Sequence, residues 1–231
     1  MLVRSWNLFH GNTVPPGRRA YLREMVELIT ADRPDVVCLQ EVPAWALGRL
    51  GHWTGMTEVP ALARRASFGP MPIPRAVGRA LTAPYHGVMR SAFSGQGNSV
   101  LLAPSLRLRA SATLPFAAHE PRIAQRLDLD GLVVANVHCS HSKRGEQEVA
   151  ATLGWLDEPD VLVVAGDFNT TPEHNAALAA FPTAIADSID QVLVRGVAAM
   201  ARSWTEDERR YGGRLLSDHA PVEARFDLVG S

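Results

Sequence analysis

The sequence predicts an α/β domain in which two packed sheets carry helices on their outer faces. Two observations lead there: apolar runs of strand length dominate the chain with helical patterns between them, and several of those runs stop abruptly at polar residues. A third sets the scale. The 231 residues suffice for one large core and show no internal repeat, so a single domain over residues 1–231 is expected.

Residues 2–7 begin apolar and read as a strand that delivers Asn7 to its C-terminal end. In residues 18–31 the apolar Tyr21, Leu22, Met25, Val26, Leu28 and Ile29 recur at helical spacing, and Pro34 bars continuation. Residues 35–41, DVVCLQE, form a continuous apolar run with a polar tip, which suits a strand buried on both faces. From about 54 to 94 the chain is rich in Pro, Gly and Arg with weak periodicity, so it reads as a long irregular excursion with a short helix near 75–81. Strand-like runs return at 98–103, 123–129, 132–138 and 161–167, with a helix expected at 146–156. Runs at 188–194, 198–204 and 220–228 complete the pattern, the last alternating as a half-exposed strand does.

A hydrophobic fraction of 46% and a charged fraction of 20% exclude disordered, collagen-like and disulfide-scaffold classes. The net charge of -1 predicts no whole-protein attraction to nucleic acid or anionic membrane. Charge is nonetheless clustered: Arg64, Arg65, Arg75, Arg79, Arg90, Arg107, Arg109, Arg122 and Arg126 face the single acid Glu120. Lys143 is the only lysine, so the cluster reads equally as a phosphate-binding surface or as solvated charge in a chain that uses arginine throughout. Cys38 and Cys139 lie in apolar runs, where a thiol behaves as a small hydrophobe, and a reducing compartment fits best. The N-terminal MLVRSWNLFHGN has no leader pattern and no segment has membrane-spanning length, so a cytoplasmic monomer is expected.

Five strand ends carry polar groups that their apolar lead-ins do not explain: Asn7, Glu41, His138, Asp167 with Asn169, and Asp218 with His219. Asp167 and Asn169 lie two residues apart in GDFN, so strand alternation would put a carboxylate and an amide on one side, able to hold a water and the oxygen it attacks. The plainer alternative is an Asx-turn or helix cap ahead of Thr170-Thr171-Pro172. Glu41 has the character of a hard-cation ligand with Asn7 as neighbour, or of a salt-bridged surface acid. His138 shares a strand face with Asn136, and its neighbours Ser140 and His141 favour a cleft over a core histidine. In Ser217-Asp218-His219 an acid beside the ring would keep it cationic near phosphate, and Asp190 is a second group able to orient the same ring. Signatures of competing chemistries, G-x-S-x-G, H-E-x-x-H and paired C-x-x-C, are missing from the sequence.

Taken in order, SWN at 5–7, LQEV at 39–42, GNSVLL at 97–102, NVH at 136–138, GDFN at 166–169, IDQVLV at 189–194 and SDHAPV at 217–222 resemble the endonuclease/exonuclease/phosphatase superfamily, whose fold is DNase I-like. The resemblance spans nearly the whole chain. It implies a four-layer α/β/β/α sandwich with two mostly antiparallel mixed sheets and a site at one edge. It also implies Mg²⁺ or Mn²⁺ held by Glu41 and Asn7, with Asp218 assisting, and catalytic roles for Asp167, Asn169, His138, His219, Asp190 and Asp218. Asn98 and Arg122 are assigned to substrate binding. The implied activity is metal-dependent phosphoester hydrolysis, a nuclease or general phosphodiesterase being favoured, with nucleic acid as a partner through the arginine-rich segment 64–90. A lipid or inositol-phosphate phosphatase or sphingomyelinase-like enzyme is the alternative, since Met71, Ile73, Val77, Leu81 and Met89 would equally cover an apolar partner, and a decayed binding module is the remote one. The chain departs from the abasic-site endonuclease branch, lacking its tyrosine segment and a tryptophan before SDH, so specific DNA repair is not expected.

Overall fold

The computed structural model describes residues 1–17, 19–68, 70–82, 93–116, 121–141, 143–156 and 159–228. Its strands are β1 (Leu2–Asn7), β2 (Thr13–Val14), β3 (Val36–Pro43), β4 (Thr57–Arg64), β5 (Ser67–Phe68), β6 (Met71–Pro72), β7 (Gln96–Leu102) and β8 (Leu108–Phe116). They continue as β9 (Arg122–Leu129), β10 (Leu132–His138), β11 (Leu162–Asp167), β12 (Asp190–Arg195), β13 (Ala199–Ser203), β14 (Arg210–Tyr211), β15 (Arg214–Leu216) and β16 (Val222–Phe226). The helices are α1 (Leu22–Thr30), α2 (Leu50–Thr54), α3 (Arg75–Thr82), α4 (Lys143–Trp155) and α5 (Ala176–Ala179).

Six strands pair in the order β13-β16-β1-β3-β7-β4, and five in the order β12-β11-β10-β9-β8. Within these two sheets only β1–β3 and β10–β11 run parallel, so both sheets are mixed and mostly antiparallel. Strand alternation gives each sheet two faces, and all four find apolar cover. Val3, Val36, Val100 and Leu102 of the first sheet meet Leu127, Val134, Val163 and Val192 of the second. On the far side of the first, Trp6, Val37, Leu39 and Leu101 pack on Met25, Val26 and Ile29 of α1 and Leu50 of α2. On the far side of the second, Ala135, Val137, Val164 and Leu193 pack on Val149 of α4 and Leu178 of α5. The result is the expected α/β/β/α sandwich.

Besides the short strands β2, β5, β6, β14 and β15, two strands of the large sheets escape the sequence reading, and for one reason. The stretch taken as irregular from about 54 contains β4, eight residues long and paired with β7, and β8 falls where no strand was expected. Each is the last strand of its sheet and each contains a proline, Pro60 or Pro115. An edge strand tolerates a missing N–H and needs apolar residues on little of its surface, so both signals used to detect strands fade there. The short helix expected at 75–81 is α3. Met89, Arg90 and Glu120 lie outside the described residues.

The layer between the sheets changes character along the strands. At one end it is apolar; midway Gln40 donates to Asn136 Oδ1 at 2.8 Å and to Ser5 Oγ at 3.1 Å. Asn136 in turn donates to the Leu39 and Ser99 carbonyls, and Asn98 to those of Ile123 and Asn136. These buried amides cross-link the sheets through their N–H groups, while Gln40 Oε1 stays buried without a hydrogen-bond partner. Beyond them, at the strand ends, the layer becomes ionisable.

A separate buried cluster locks β1, β13, β16 and α1 together. Glu223 accepts from Arg4 Nε at 2.9 Å, Trp204 Nε1 at 3.0 Å and Arg202 Nε at 3.0 Å, while Arg4 also reaches the Ile29 carbonyl and Asp32. Glu223→Ala would remove one of the two carboxylates on the buried Arg4 guanidinium, leaving Asp32, and would take the acceptor from Trp204 Nε1, so a loss of about 1–3 kcal/mol is expected by urea unfolding. A loss below about 1 kcal/mol would mean that water replaces the carboxylate freely.

Candidate active site

Each functional side chain stands at a strand exit on the inter-sheet side. In the second sheet the register sets His138 of β10 beside Asp167 of β11, and Asp167 beside Asp190 of β12, so three ionisable groups form one row. Gly166 makes the close pairing possible: its φ is +151°, and a Cβ there would lie 1.9 Å from the Val137 carbonyl oxygen. From the facing sheet Asn7 donates its Nδ2 to Asp167 Oδ2 at 2.9 Å, which joins the two layers at the site itself.

Glu41 arrives by an irregularity. Gln40 already faces the inter-sheet layer, so regular alternation would turn Glu41 outward. The β3–β7 register shifts between Leu39 and Val42, and Glu41 takes a positive φ of 52°, a bulge that re-aims its carboxylate into the cleft. There it lies 3.8 Å from His138 Nε2 and 3.3 Å from His10 Nε2. Burial pushes the Glu41 carboxyl up to about 7, the Asp167 charge adding to the rise and Arg122 and the Asn7 hydrogen bond opposing it.

His219 comes from the loop between β15 and β16 and is strapped in place by its backbone. Ser217 Oγ donates to the Asn7 carbonyl at 2.7 Å and accepts from His219 N at 3.1 Å, while Trp6 Nε1 and Arg209 Nη1 both donate to the His219 carbonyl at 2.9 Å. The ring's Nδ1 meets Asp190 Oδ2 at 2.9 Å and its Nε2 lies 4.0 Å from Asp167 Oδ2. Burial alone would discharge this imidazole, but the Asp190 hydrogen bond and the charges of Asp190, Asp167 and Asp218 outweigh it and raise it to about 9. Of the two acids that the sequence offered as its partner, Asp190 holds Nδ1, while the Asp218 side chain is 47% exposed and 3.9 Å from Nε2.

His138 behaves oppositely. It is buried, its Nε2 contacts Arg122 Nη1, and burial followed by the Arg122 charge drives its pKa well below the ordinary imidazole value. Its ring is therefore neutral and accepts from the guanidinium; the positive charge beside it is that of Arg122, which also reaches the Cys139 carbonyl.

The structure thus brings together Glu41, Asn7, His138, Asp167, Asp190, His219 and Arg122. Asn169 adjoins them with a left-handed φ of 51°, its N–H bonded to Asp167 Oδ1 at 3.0 Å and its amide to the Cys139 carbonyl at 2.8 Å, so strand alternation does not place it. Asn7 turns its nitrogen to Asp167, and its oxygen, expected to face a cation, accepts from Phe9 N at 3.0 Å. Asn98 gives its amide to carbonyls between the sheets, so it cross-links layers instead of reaching into the cleft. Sequence reasoning missed His10, held at φ 54° against Glu41, and Arg209, which fastens the His219 loop. No sequence signal marked either one.

The donor set suits a divalent cation. Four carboxylates, those of Glu41, Asp167, Asp190 and Asp218, outnumber the cationic Arg122 and His219, and Asp190 Oδ1 is buried without a hydrogen-bond partner. Burial and the Asp167 charge both keep a proton on Glu41, the strain that a bound cation relieves. Asp167, Asp190 and His219 have ligand atoms all within 4.8 Å of one another, and Asp190 holds the His219 ring through Nδ1 at 2.9 Å.

An α/β/β/α sandwich with an acid-rich edge defines the class, and the sequence defines the family. The endonuclease/exonuclease/phosphatase family model matches residues 5–219, and the chain belongs to that family. Members generally hydrolyse phosphate esters with divalent metals. Among solved structures, the endonuclease/exonuclease/phosphatase from Bacteroides vulgatus is 16% identical over 98% of this chain and 98% of its own, with a TM-score of 0.70. TDP2 from C. elegans is 15% identical over 97% of this chain and 74% of its own, with a TM-score of 0.62. The mannosyl-6-phosphatase from Bacteroides thetaiotaomicron VPI-5482 is 15% identical over 99% of this chain and 100% of its own, with a TM-score of 0.63. At such identities the likeness concerns the fold. No curated protein matched the sequence.

Proposed function

We propose that the chain is a divalent-metal-dependent phosphodiesterase, and the observation that supports this most is the Asp190–His219–Asp167 row facing Glu41 and Asn7 across the sheets. Glu41, with Asp218 at the rim, would hold Mg²⁺ or Mn²⁺, which when bound offsets charge on the phosphoryl oxygens. Asp167, braced by Asn7 and the Asn169 N–H, accepts the proton of the attacking water. Asn169 positions that water and the phosphate. His219, kept cationic and aimed by Asp190, donates from Nε2 to the oxygen on which charge develops, and Arg122 adds a second positive charge beside the neutral His138.

The test uses the full chain with bis(4-nitrophenyl) phosphate, plasmid and single-stranded DNA, RNA, sphingomyelin and inositol phosphates. EDTA is expected to abolish turnover on whichever is cleaved, and Mg²⁺ or Mn²⁺ to restore it; full activity in EDTA would overturn the reading. A nuclease remains the favoured member of this class if cleavage of DNA falls steeply with salt, the sign of arginine–phosphate contacts. A lipid phosphodiester is the second reading, favoured by the surface described next.

A further inference from the structure

Between β4 and β7 the chain leaves the first sheet and returns to it at the edge where Glu41 stands. Arg64 of β4 and Pro43 of β3 both pair with Gln96, and Val42, next to Glu41, pairs with Gly97. The excursion carries the β5–β6 pair and α3. Only Gly78 and Thr82 of α3 are buried; Thr82 Oγ1 bonds Trp45 Nε1 at 3.2 Å, and Arg79 lies over the Trp45 ring. Everything else on the helix faces outward. Val77 and Leu81, one turn apart, are 47% and 52% exposed, and Phe68 and Met71, paired across β5 and β6, are 62% and 63% exposed.

Large apolar side chains at such exposure leave a hydrophobic surface in water, and here they are interleaved with exposed Arg65, Arg75 and Arg79. No acidic residue occurs in the sequence between Glu58 and Glu120. Arg65 and Arg75 also line a cleft of about 400 Å³ with Leu62, Pro72 and Ile73.

We propose that the β5–β6 pair and α3 form a docking surface for an anionic lipid bilayer. Charge complementarity selects this occupant: arginines seek lipid phosphates while Phe68, Met71, Val77 and Leu81 enter the acyl boundary. A single-stranded nucleic acid would use the arginines, but Met71, Val77 and Leu81 have no ring on which a base can stack, and the Phe68 ring already stacks against Phe93 at 6.2 Å. A second copy of this chain would set the arginines of two identical patches against each other. The attachment is independent of catalysis; its consequence, that the cleft is presented to lipid headgroup phosphodiesters, rests on the phosphodiesterase reading above.

Vesicle sedimentation tests it, with the purified chain on phosphatidylcholine alone and on phosphatidylcholine mixed with phosphatidylserine. Binding is expected to the mixed vesicles, to weaken with salt, and to persist in EDTA and in Asp167→Asn, so loss of activity and loss of docking are separable. Arg75→Gln with Arg79→Gln should weaken it about 25-fold, and Phe68→Ser and Leu81→Ser about tenfold each. Arg75 and Leu81 are exposed, so Arg75→Gln and Leu81→Ser should leave the melting temperature unchanged, and they control for any loss of the Arg79–Trp45 and Phe68–Phe93 contacts in the other variants. Because Cys38 and Cys139 are both fully buried, Leu81→Cys accepts a fluorophore selectively, and its emission should shift to the blue on mixed vesicles. No binding to mixed vesicles, binding that ignores these substitutions, DNA binding lost on the same substitutions without vesicle binding, or a dimer dissolved by Phe68→Ser would each overturn the proposal.

Discussion

Asp167→Asn is expected to lower kcat on a phosphodiester by about 10²–10⁴ while leaving the fold intact. Asparagine keeps the shape of the buried side chain and still accepts from the Asn169 N–H through its oxygen, but it cannot take a proton from water. Its local costs are the loss of the negative charge beside His219 and a mismatch with Asn7, whose Nδ2 now points at Asp167 Oδ2 and would meet a second amide or rotate away. Measuring Asp167→Asn, Asn7→Ala and the double variant separates these effects: proton transfer lost at Asp167 leaves little for the second change to remove, whereas two independent losses multiply. A circular dichroism spectrum showing an unfolded variant would make Asp167 a structural residue. Retention of more than about a tenth of the wild-type rate would take it out of the proton-transfer step.

Much of this site is legible in the sequence because alternation is a strict rule inside a sandwich. Val134, Asn136 and His138 must share a face, as must Val163, Ala165 and Asp167, and the apolar partners say that this face is inward. What alternation cannot say is which inward polar residues react and which merely cross-link. Gln40, Asn98 and Asn136 look the same in the sequence as Asn7 and His138, yet their amides are spent on hydrogen bonds between the sheets, even though Gln40 lies level with Asn7 in the β1–β3 register. Glu41 shows the opposite failure. It was selected as the tip of an apolar run, but its position depends on a bulge that no local pattern announces. His10 and Arg209 were illegible for a third reason: they act through a left-handed turn and a loop strap, both settled by tertiary packing. The same holds for the partner of His219, since Asp218 is adjacent in sequence but Asp190 is adjacent in space.

That pairing gives the second large effect. His219→Ala should cost about 10²–10³ in kcat, the scale of removing one aligned donor from a developing oxyanion. The sharper measurement is the alkaline limb of the pH–rate profile. The His219 pKa is raised to about 9 in the folded chain from an ordinary value of 6.5, so the imidazolium is fully present below 6.5 and is lost only as pH rises through about 9. For stability the ion pair has two limits: burial raises Asp190 to about 6, so the pair is intact between about pH 6 and 9, weakening below as Asp190 takes a proton and above as His219 loses one. Asp190→Asn keeps a hydrogen-bond acceptor near Nδ1 but removes the charge, leaving burial free to lower the ring's pKa. The alkaline limb should then move toward neutral pH, with a rate loss that is small in acid and large above pH about 7. A variant that is uniformly slow with the limb unmoved would show that Asp190 holds the ring in position without charging it, and would remove the imidazolium from the proposed chemistry.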